Sequence, residues 1–179
     1  RVRCKAISFG RPSRPARAWP DTKSGRARPR VWSCRRWSFA GWGWRRSPQL
    51  VLDFYNMRRK AVLAAQPNAA HKILAELEAH FDVYIITQNV DDLHERAGST
   101  KVLHLHGEIL KMRSEKNASK YYPIKEDILL GHKAEDGGQF RPHVVWFEEP
   151  VPMIEQAIPI MYDADVFVLV GTSLAVYPA

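Results

Sequence analysis

Apolar positions recur with helical spacing from Pro48 to about Ala65, where Leu50, Val51, Phe54, Tyr55, Met57, Val62 and Leu63 alternate with basic groups. That period predicts a helix. Pro67-Asn68 opens a second, in which Ala70, Ile73, Leu74, Leu77 and Phe81 share one face and Lys72, Glu76 and Glu78 lie away from it. Residues 83–86 form a short continuous apolar run, as expected of a strand covered on both faces. Residues 101–105 read as another strand. Residues 110–142 are polar and predict irregular structure, with a turn at Gly137-Gly138. Residues 144–147 read as a strand or extended loop, 153–162 as a helix, and 165–170 as a buried strand ending at Gly171-Thr172-Ser173. Strands that alternate with helices predict an α/β fold with a parallel sheet.

Residues 1–47 follow no such pattern. They show no sustained period of either kind, and prolines at 12, 15, 20 and 29 break any helix. Five of the six tryptophans lie here: Trp19, Trp32, Trp37, Trp42 and Trp44. Charge divides the chain in the same way. Residues 1–50 hold 14 of the 27 Lys/Arg and one acid, Asp21, whereas the remainder holds 13 basic against 18 acidic residues. The net charge of +8 therefore belongs to the head, and the body is mildly acidic. Three readings of the head compete. It is a basic arm that binds nucleic acid, with Arg on phosphates and Trp on bases; or a solvated tail; or out-of-frame sequence. The third is preferred, because acids are nearly absent. The expected division is a basic, irregular segment over 1–47 and a globular domain over 48–179.

At 179 residues the chain is long enough for one domain with a core. No apolar run reaches membrane-spanning length, so a soluble, membrane-free protein is expected. The start leads into no long apolar segment, so a secretory leader is not expected. Two cysteines, Cys4 and Cys34, cannot build a disulfide framework or a four-thiolate metal site. A cytoplasmic location is the expectation.

The candidate chemistry lies at the ends of two apolar runs. Thr87-Gln88-Asn89-Val90-Asp91-Asp92 places amides and carboxylates after the first, and Leu105-His106-Gly107 places an imidazole and a glycine after the second. Ligands of open α/β sheets bind at such strand ends. His106 suits a general base, since imidazole titrates near neutrality. His104, His71 and His94 compete for that role. Gly107 would let a ligand approach closely. Gln88, Asn89 and Asp91 could hold a carboxamide, a ribose or a water, or could simply cap the next helix. Gly171, Thr172 and Ser173 form a small-residue turn that could cradle a phosphate or ribose, or merely end a strand. Tyr55 and Arg58 lie one turn apart. They would suit a carboxylate ligand, or belong to a surface helix on which Arg58, Arg59 and Lys60 are all solvated.

In this order the pieces resemble the sirtuin family of NAD-dependent protein deacylases. The stretch 87–91 resembles its nicotinamide- and ribose-binding motif, and 105–107 its catalytic-histidine motif. Residues 141–147 resemble the segment leading into its substrate loop, and 171–179 its second nucleotide-binding turn. Pro67-Asn68-Ala69-Ala70-His71 is also similar. The resemblance implies a partial Rossmann-like parallel sheet with a small helical and irregular module, contributed by about 48–66 and 110–142. It implies NAD as cofactor, acylated-lysine proteins as partners, and a monomer. His106, Asn89 and Asp91 would be catalytic. Gln88, Asn89, Asp91, Gly171, Thr172 and Ser173 would bind the cofactor. Val145, Trp146 and Phe147 would pair with the substrate as an added strand. Tyr55 and Arg58 resemble the Tyr-x-x-Arg pair of the branch that removes succinyl and malonyl groups.

The chain departs from the family's pattern in four places. Where the family has two Cys-x-x-Cys pairs, residues 113–117 and 133–137 hold no cysteine, so no zinc is expected, as in a zinc-free bacterial subset. Glu148 stands where the family has glycine after Trp-Phe, which costs backbone freedom. The opening strand, its glycine-rich loop and the Phe-Arg motif are expected to be missing. The chain also stops at Ala179. An unpaired sheet neighbour, an exposed apolar edge and impaired activity follow as expectations.

Overall fold

The computed structural model describes residues 3–8 and 40–171. Its elements are β1 (Arg3–Ser8), α1 (Ala40–Arg46), α2 (Pro48–Ala64), α3 (Ala69–Leu77), β2 (Asp82–Thr87), α4 (Leu93–Arg96), β3 (Val102–His104), β4 (Gly107–Ser114), β5 (Tyr121–Pro123), β6 (Phe140–Val144), α5 (Ile154–Tyr162) and β7 (Val166–Val170). Four strands form a parallel sheet in the order β3-β2-β1-β7. The other three form an antiparallel sheet in the order β5-β4-β6.

Helix α2 starts at Ser47 with Pro48 in its first turn, where the missing N–H removes no helical bond. It buries Val51, Leu52, Asn56 and Arg59, a single stripe at helical spacing. The Arg96 guanidinium receives it at the far end, donating to the carbonyls of Ala65 and Val62. Helix α3 opens on a reciprocal cap: His71 N–H donates to Asn68 Oδ1, and Asn68 N–H to the His71 ring. These bonds satisfy donors that every helix start leaves open.

Strand β2 buries Val83, Ile85 and Ile86. Ile86 and Leu105 pack on Ala157 of α5. A second cluster joins Val51 to Val144 and Trp146, and a third joins Leu52 to Ile124, Ile128 and Phe140. Trp44 of α1 packs against both. Helix α2 thus packs on the antiparallel sheet, with Val51 in one cluster and Leu52 in the other.

Four expectations are corrected. The 1–47 segment is not irregular throughout: residues 3–8 form β1, and Ala40–Arg46 form α1. The opening strand is not missing either. Strand β1 occupies the sheet interior, with Cys4 opposite both Val83 and Val166. Its run, Arg-Cys-Lys-Ala-Ile-Ser, is too short and mixed to show a period, so pairing on both sides decides it. Residues 110–142 are not merely irregular, because β4, β5 and β6 run through them. Antiparallel pairing with one open face tolerates the polar residues that hid these strands. Strand β7 is not buried. Among the described residues it has a neighbour on one side only, and each of its five residues is 40–46% exposed. The exposed apolar edge lies there, at β7, and not beside an absent first strand.

Candidate functional site

The polar cluster forms where β2 and β3 end. The Thr87 carbonyl accepts from Leu105 N–H at 2.8 Å, and its hydroxyl accepts from Asn89 N–H at 3.1 Å. Asp91 Oδ1 then accepts from Leu93 N–H at 3.2 Å, closing the turn into α4. The Val90 carbonyl takes Ile109 N–H at 2.8 Å, tying the turn to β4. Gln88, Asn89 and Asp91 are half-buried at this edge. Asp91 thus makes a local turn bond to the first residue of α4, while the cap position itself is Asp92, which makes no side-chain cap bond. The Asp91 bond occupies one carboxylate oxygen and does not exclude a ligand on the other.

The four competing histidines separate cleanly. His71 is committed to its helix cap. His94 is 1% exposed, its ring 4.6 Å from that of His71, and neither ring nitrogen has a partner among the described residues. His104 uses both nitrogens, Nδ1 at 3.0 Å from the Asn89 carbonyl and Nε2 at 2.7 Å from Glu95 Oε1. Burial works against its charge, but the bond to Glu95 and the Asn89 carbonyl outweigh burial and raise its pKa. His106 is half-buried, with Nδ1 at 3.2 Å from the Gln88 carbonyl. A carbonyl only accepts, so Nδ1 carries the proton and the second nitrogen keeps its lone pair. Burial lowers the His106 pKa, and the Gln88 bond opposes this without reversing it.

Gly107 has a different reason from the one expected. Its φ is +79°, and a Cβ there would come within 2.2 Å of the His143 carbonyl oxygen. The close approach is that of β6, not of a ligand. It brings Val145 N–H to 2.9 Å from the His106 carbonyl, so residues 145–147 begin directly beside His106. Trp146 is 4% exposed and Phe147 59%. The Trp146 ring packs on Tyr55 with centroids 6.2 Å apart. Burial raises the Tyr55 pKa. Arg58 is exposed, its guanidinium 5.7 Å from the Phe54 ring. No carboxylate among the described residues pairs with it. Gly171, at φ +75°, ends β7. Thr172 and Ser173 lie outside the described residues.

Arg59, read in the sequence as solvated, is fully buried. It donates to the Ile109 carbonyl at 2.9 Å and to Asn56 Oδ1 at 2.8 Å, fastening α2 to β4. Its signal was available, because position 59 continues the stripe of 52 and 56. Arg141 and Glu149 were also missed as a pair. The Arg141 guanidinium donates to both Glu149 oxygens and lies 3.3 Å from the Trp146 ring centroid.

The residues present suit a dinucleotide. The Gln88 amide nitrogen is buried without a partner among the described residues, a donor that a carboxamide or ribose oxygen would satisfy. Gln88, Asn89, Asp91, His106 and Gly171 all stand at or just beyond the carboxyl ends of parallel strands. The residues do not suit a thiolate zinc site. The stretches 113–117 and 133–137 do meet, but through Ser114 Oγ on Asp136 Oδ1 at 2.8 Å and Lys116 Nζ on the Asp136 carbonyl at 3.2 Å. Lys120 pairs with Glu135 beside them at 2.6 Å. Among the described residues no group of three or more His, Cys, Asp or Glu converges on a metal-sized space, and no helix is long and apolar enough to cross a membrane.

A parallel α/β sheet with amides, a carboxylate and an imidazole at its strand ends belongs to the class of open α/β folds that bind ligands at that edge. Within that class, residues 42–178 match the model of the Sir2 family, and the chain belongs to that family. It is 55% identical over 138 residues to an NAD-dependent protein deacylase of Helicobacter pylori, covering 77% of this chain and 60% of that protein. It is 52% identical over 143 residues to one of Bacteroides thetaiotaomicron, covering 76% and 61%. Among solved structures, a mutant Sir2 homologue in complex with ADP-ribose superposes with a TM-score of 0.78 at 31% identity, covering 98% of this chain and 72% of that one. A Sir2 homologue–NAD complex gives 0.73 at 37% identity, covering 80% and 58%. The chain spans about three-fifths of the length of the curated relatives it matches.

Proposed function

We propose that this protein removes acyl groups from protein lysines with NAD as co-substrate, and that it prefers acidic acyl groups such as succinyl and malonyl. The observation that carries the first part is His106. It is the one histidine of the cluster whose Nδ1 is held by a backbone carbonyl alone, with its pKa lowered by burial and no partner at its second nitrogen among the described residues. NAD, when bound, would supply an electrophilic ribose carbon with nicotinamide as its leaving group. The second nitrogen of His106 would accept a proton from a ribose hydroxyl. Asn89 and Asp91 would orient that ribose and a water, and the Gln88 amide would give its unpaired N–H to the ligand. The relatives' names, NAD-dependent protein deacylase, support the reading, as does a solved Sir2 protein bound to a propionylated peptide.

The acyl preference rests on Arg58. An exposed guanidinium with no carboxylate partner among the described residues, one helical turn from a phenol that packs on Trp146, fits a carboxylate at the end of an acyl chain. The zinc-free character of the small module is part of the same proposal, with the Ser114–Asp136 and Lys120–Glu135 contacts holding it. The nucleic-acid reading has no support in the described residues.

The test is a mass assay on peptides carrying succinyl-lysine or acetyl-lysine, with and without NAD. Loss of the succinyl mass in step with nicotinamide release, faster than loss of acetyl, is expected. Arg58→Met should reverse the order. No NAD-dependent loss from either peptide would refute the activity, and equal rates on both would refute the preference alone.

A further inference from the structure

Residues 144–149 are held by one carboxylate. Glu149 Oε1 accepts from Arg141 Nη1 at 2.6 Å, and Oε2 accepts from Arg141 Nη2 at 3.1 Å, from Arg113 Nη2 at 3.3 Å and from the Trp146 backbone N–H at 2.9 Å. Arg141 Nη2 also donates to the Val144 carbonyl at 2.8 Å. The same guanidinium covers the Trp146 ring. On the opposite side of the segment, Val145 N–H reaches the His106 carbonyl. The segment is therefore pinned at both edges, to the carbonyl of the proposed base and to a partly buried ion cluster.

The backbone closes in the same place. Glu149 N–H donates to the Trp146 carbonyl at 3.1 Å, a turn with Phe147 and Glu148 at its centre. Glu148 has φ +73°, the left-handed value that the third position of a type II turn demands. With Trp146 N–H and C=O both spent inside this turn, no described residue bonds the Phe147 N–H or carbonyl. Phe147 is an exposed residue, which suits pairing of these groups with an incoming strand.

We propose that Glu149 is a positioning residue for the acylated peptide: by clamping Arg141 and the Trp146 amide it presents residues 145–147 to the substrate backbone beside His106. The inference rests on the deacylase reading and adds to it the part that orders the substrate strand. The Glu149 carboxylate is occupied by Arg113, Arg141 and the Trp146 amide, so its expected effect is on peptide binding.

The experiment compares the full chain with Glu149→Gln, using a fluorescently labelled succinyl-lysine peptide for binding and nicotinamide release for turnover. Expected is a loss of peptide affinity of tenfold or more and a matching rise in peptide KM, with NAD affinity and kcat at saturating peptide within about twofold. A folded Glu149→Gln variant that binds peptide as the parent does overturns the inference. So does a parallel loss of NAD and peptide affinity, the mark of general loosening. If Glu149→Gln fails to fold, Glu149→Asp, which keeps the charge and shortens its reach, must show the same split. A parent chain that binds no peptide and releases no nicotinamide refutes the deacylase reading, and the inference falls with it.

Discussion

His104 and Glu95 are joined through Nε2 and Oε1 at 2.7 Å, while the other nitrogen of the same ring meets the Asn89 carbonyl. Both partners only accept, so the ring satisfies both only as an imidazolium. It has no lone pair left to take a proton. His106, two residues on, has one acceptor partner and stays neutral. Two histidines that the sequence leaves as rivals are thus shifted in opposite directions by their surroundings.

The pairing sets a pH dependence with a definite sign. The folded pKa of His104 is raised, so its contribution to stability is complete below the unfolded value of about 6.5 and is lost as pH rises through the folded value. Glu95 is partly exposed, so the contribution should be modest, about 1 kcal/mol. Thermal melts at pH 6 and pH 9 check this. Glu95→Gln should lower the pH 6 melting temperature and leave pH 9 nearly unchanged. An equal drop at both would show that the ion pair is not the cause.

His94 has the opposite sign. Burial first, and then the neighbouring His71 and His104 rings, push its pKa down to about 4, with Asp91 and Glu95 opposing. A base with a depressed folded pKa contributes fully above about 6.5 and loses that contribution as pH falls towards the folded value. Stability should therefore fall by on the order of 3 kcal/mol between pH 6.5 and 4 from this ring. His143, also pushed to about 4 by burial first and then by Arg113, adds a second acid-labile site. Urea midpoints across that range are the measurement. His94→Phe keeps a ring against His71 and should remove a large part of the acid slope; an unchanged slope would sink the assignment.

Much of the fold and site could be read from sequence because long apolar periods and strand-end polar residues report directly on burial. Helices α2, α3 and α5 and strands β2 and β3 stand where the pattern puts them. So do the amides of 88–89 and the imidazole of 106. What stayed hidden depends on partners distant in the chain. Strand β1 is only six residues and owes its state to β2 and β7 on either side. Arg59 looks like Arg58 until Ile109 and Asn56 are seen to receive it. Gly107 owes its identity to the His143 carbonyl, 36 positions away, and no local motif announces that contact. Trp44 belongs to a stretch whose composition suggested no folded role, yet it stacks 5.5 Å from Trp146 and its indole donates to Glu115.

Glu148 is the only non-glycine residue with positive φ among the described residues. The sequence flags the position, since a resemblance-based glycine is replaced there, and the geometry gives the reason. Left-handed backbone strains an L-residue by roughly 1–2 kcal/mol, of which the greater unfolded-state freedom of glycine returns about half. Glu148 is exposed. Glu148→Gly should therefore stabilise the chain by about 0.5–1 kcal/mol, seen as a higher urea midpoint at unchanged slope. A lower midpoint would mean that its side chain has a use the backbone does not reveal.

Strand β7 carries the last expectation. Val166, Phe167, Val168, Leu169 and Val170 are exposed together at a sheet edge, with neither a charge nor a proline among them. Such an edge presents unpaired backbone groups along an apolar strip and invites pairing with another chain. A lysine on that strand places a charge where a second strand would have to desolvate it. Val168→Lys should therefore lower concentration-dependent light scattering and shift sedimentation towards a single small species. The melting temperature should change little, because the residue is already 42% exposed. If scattering keeps the same concentration dependence in the variant, association proceeds through another surface and the edge is not its cause.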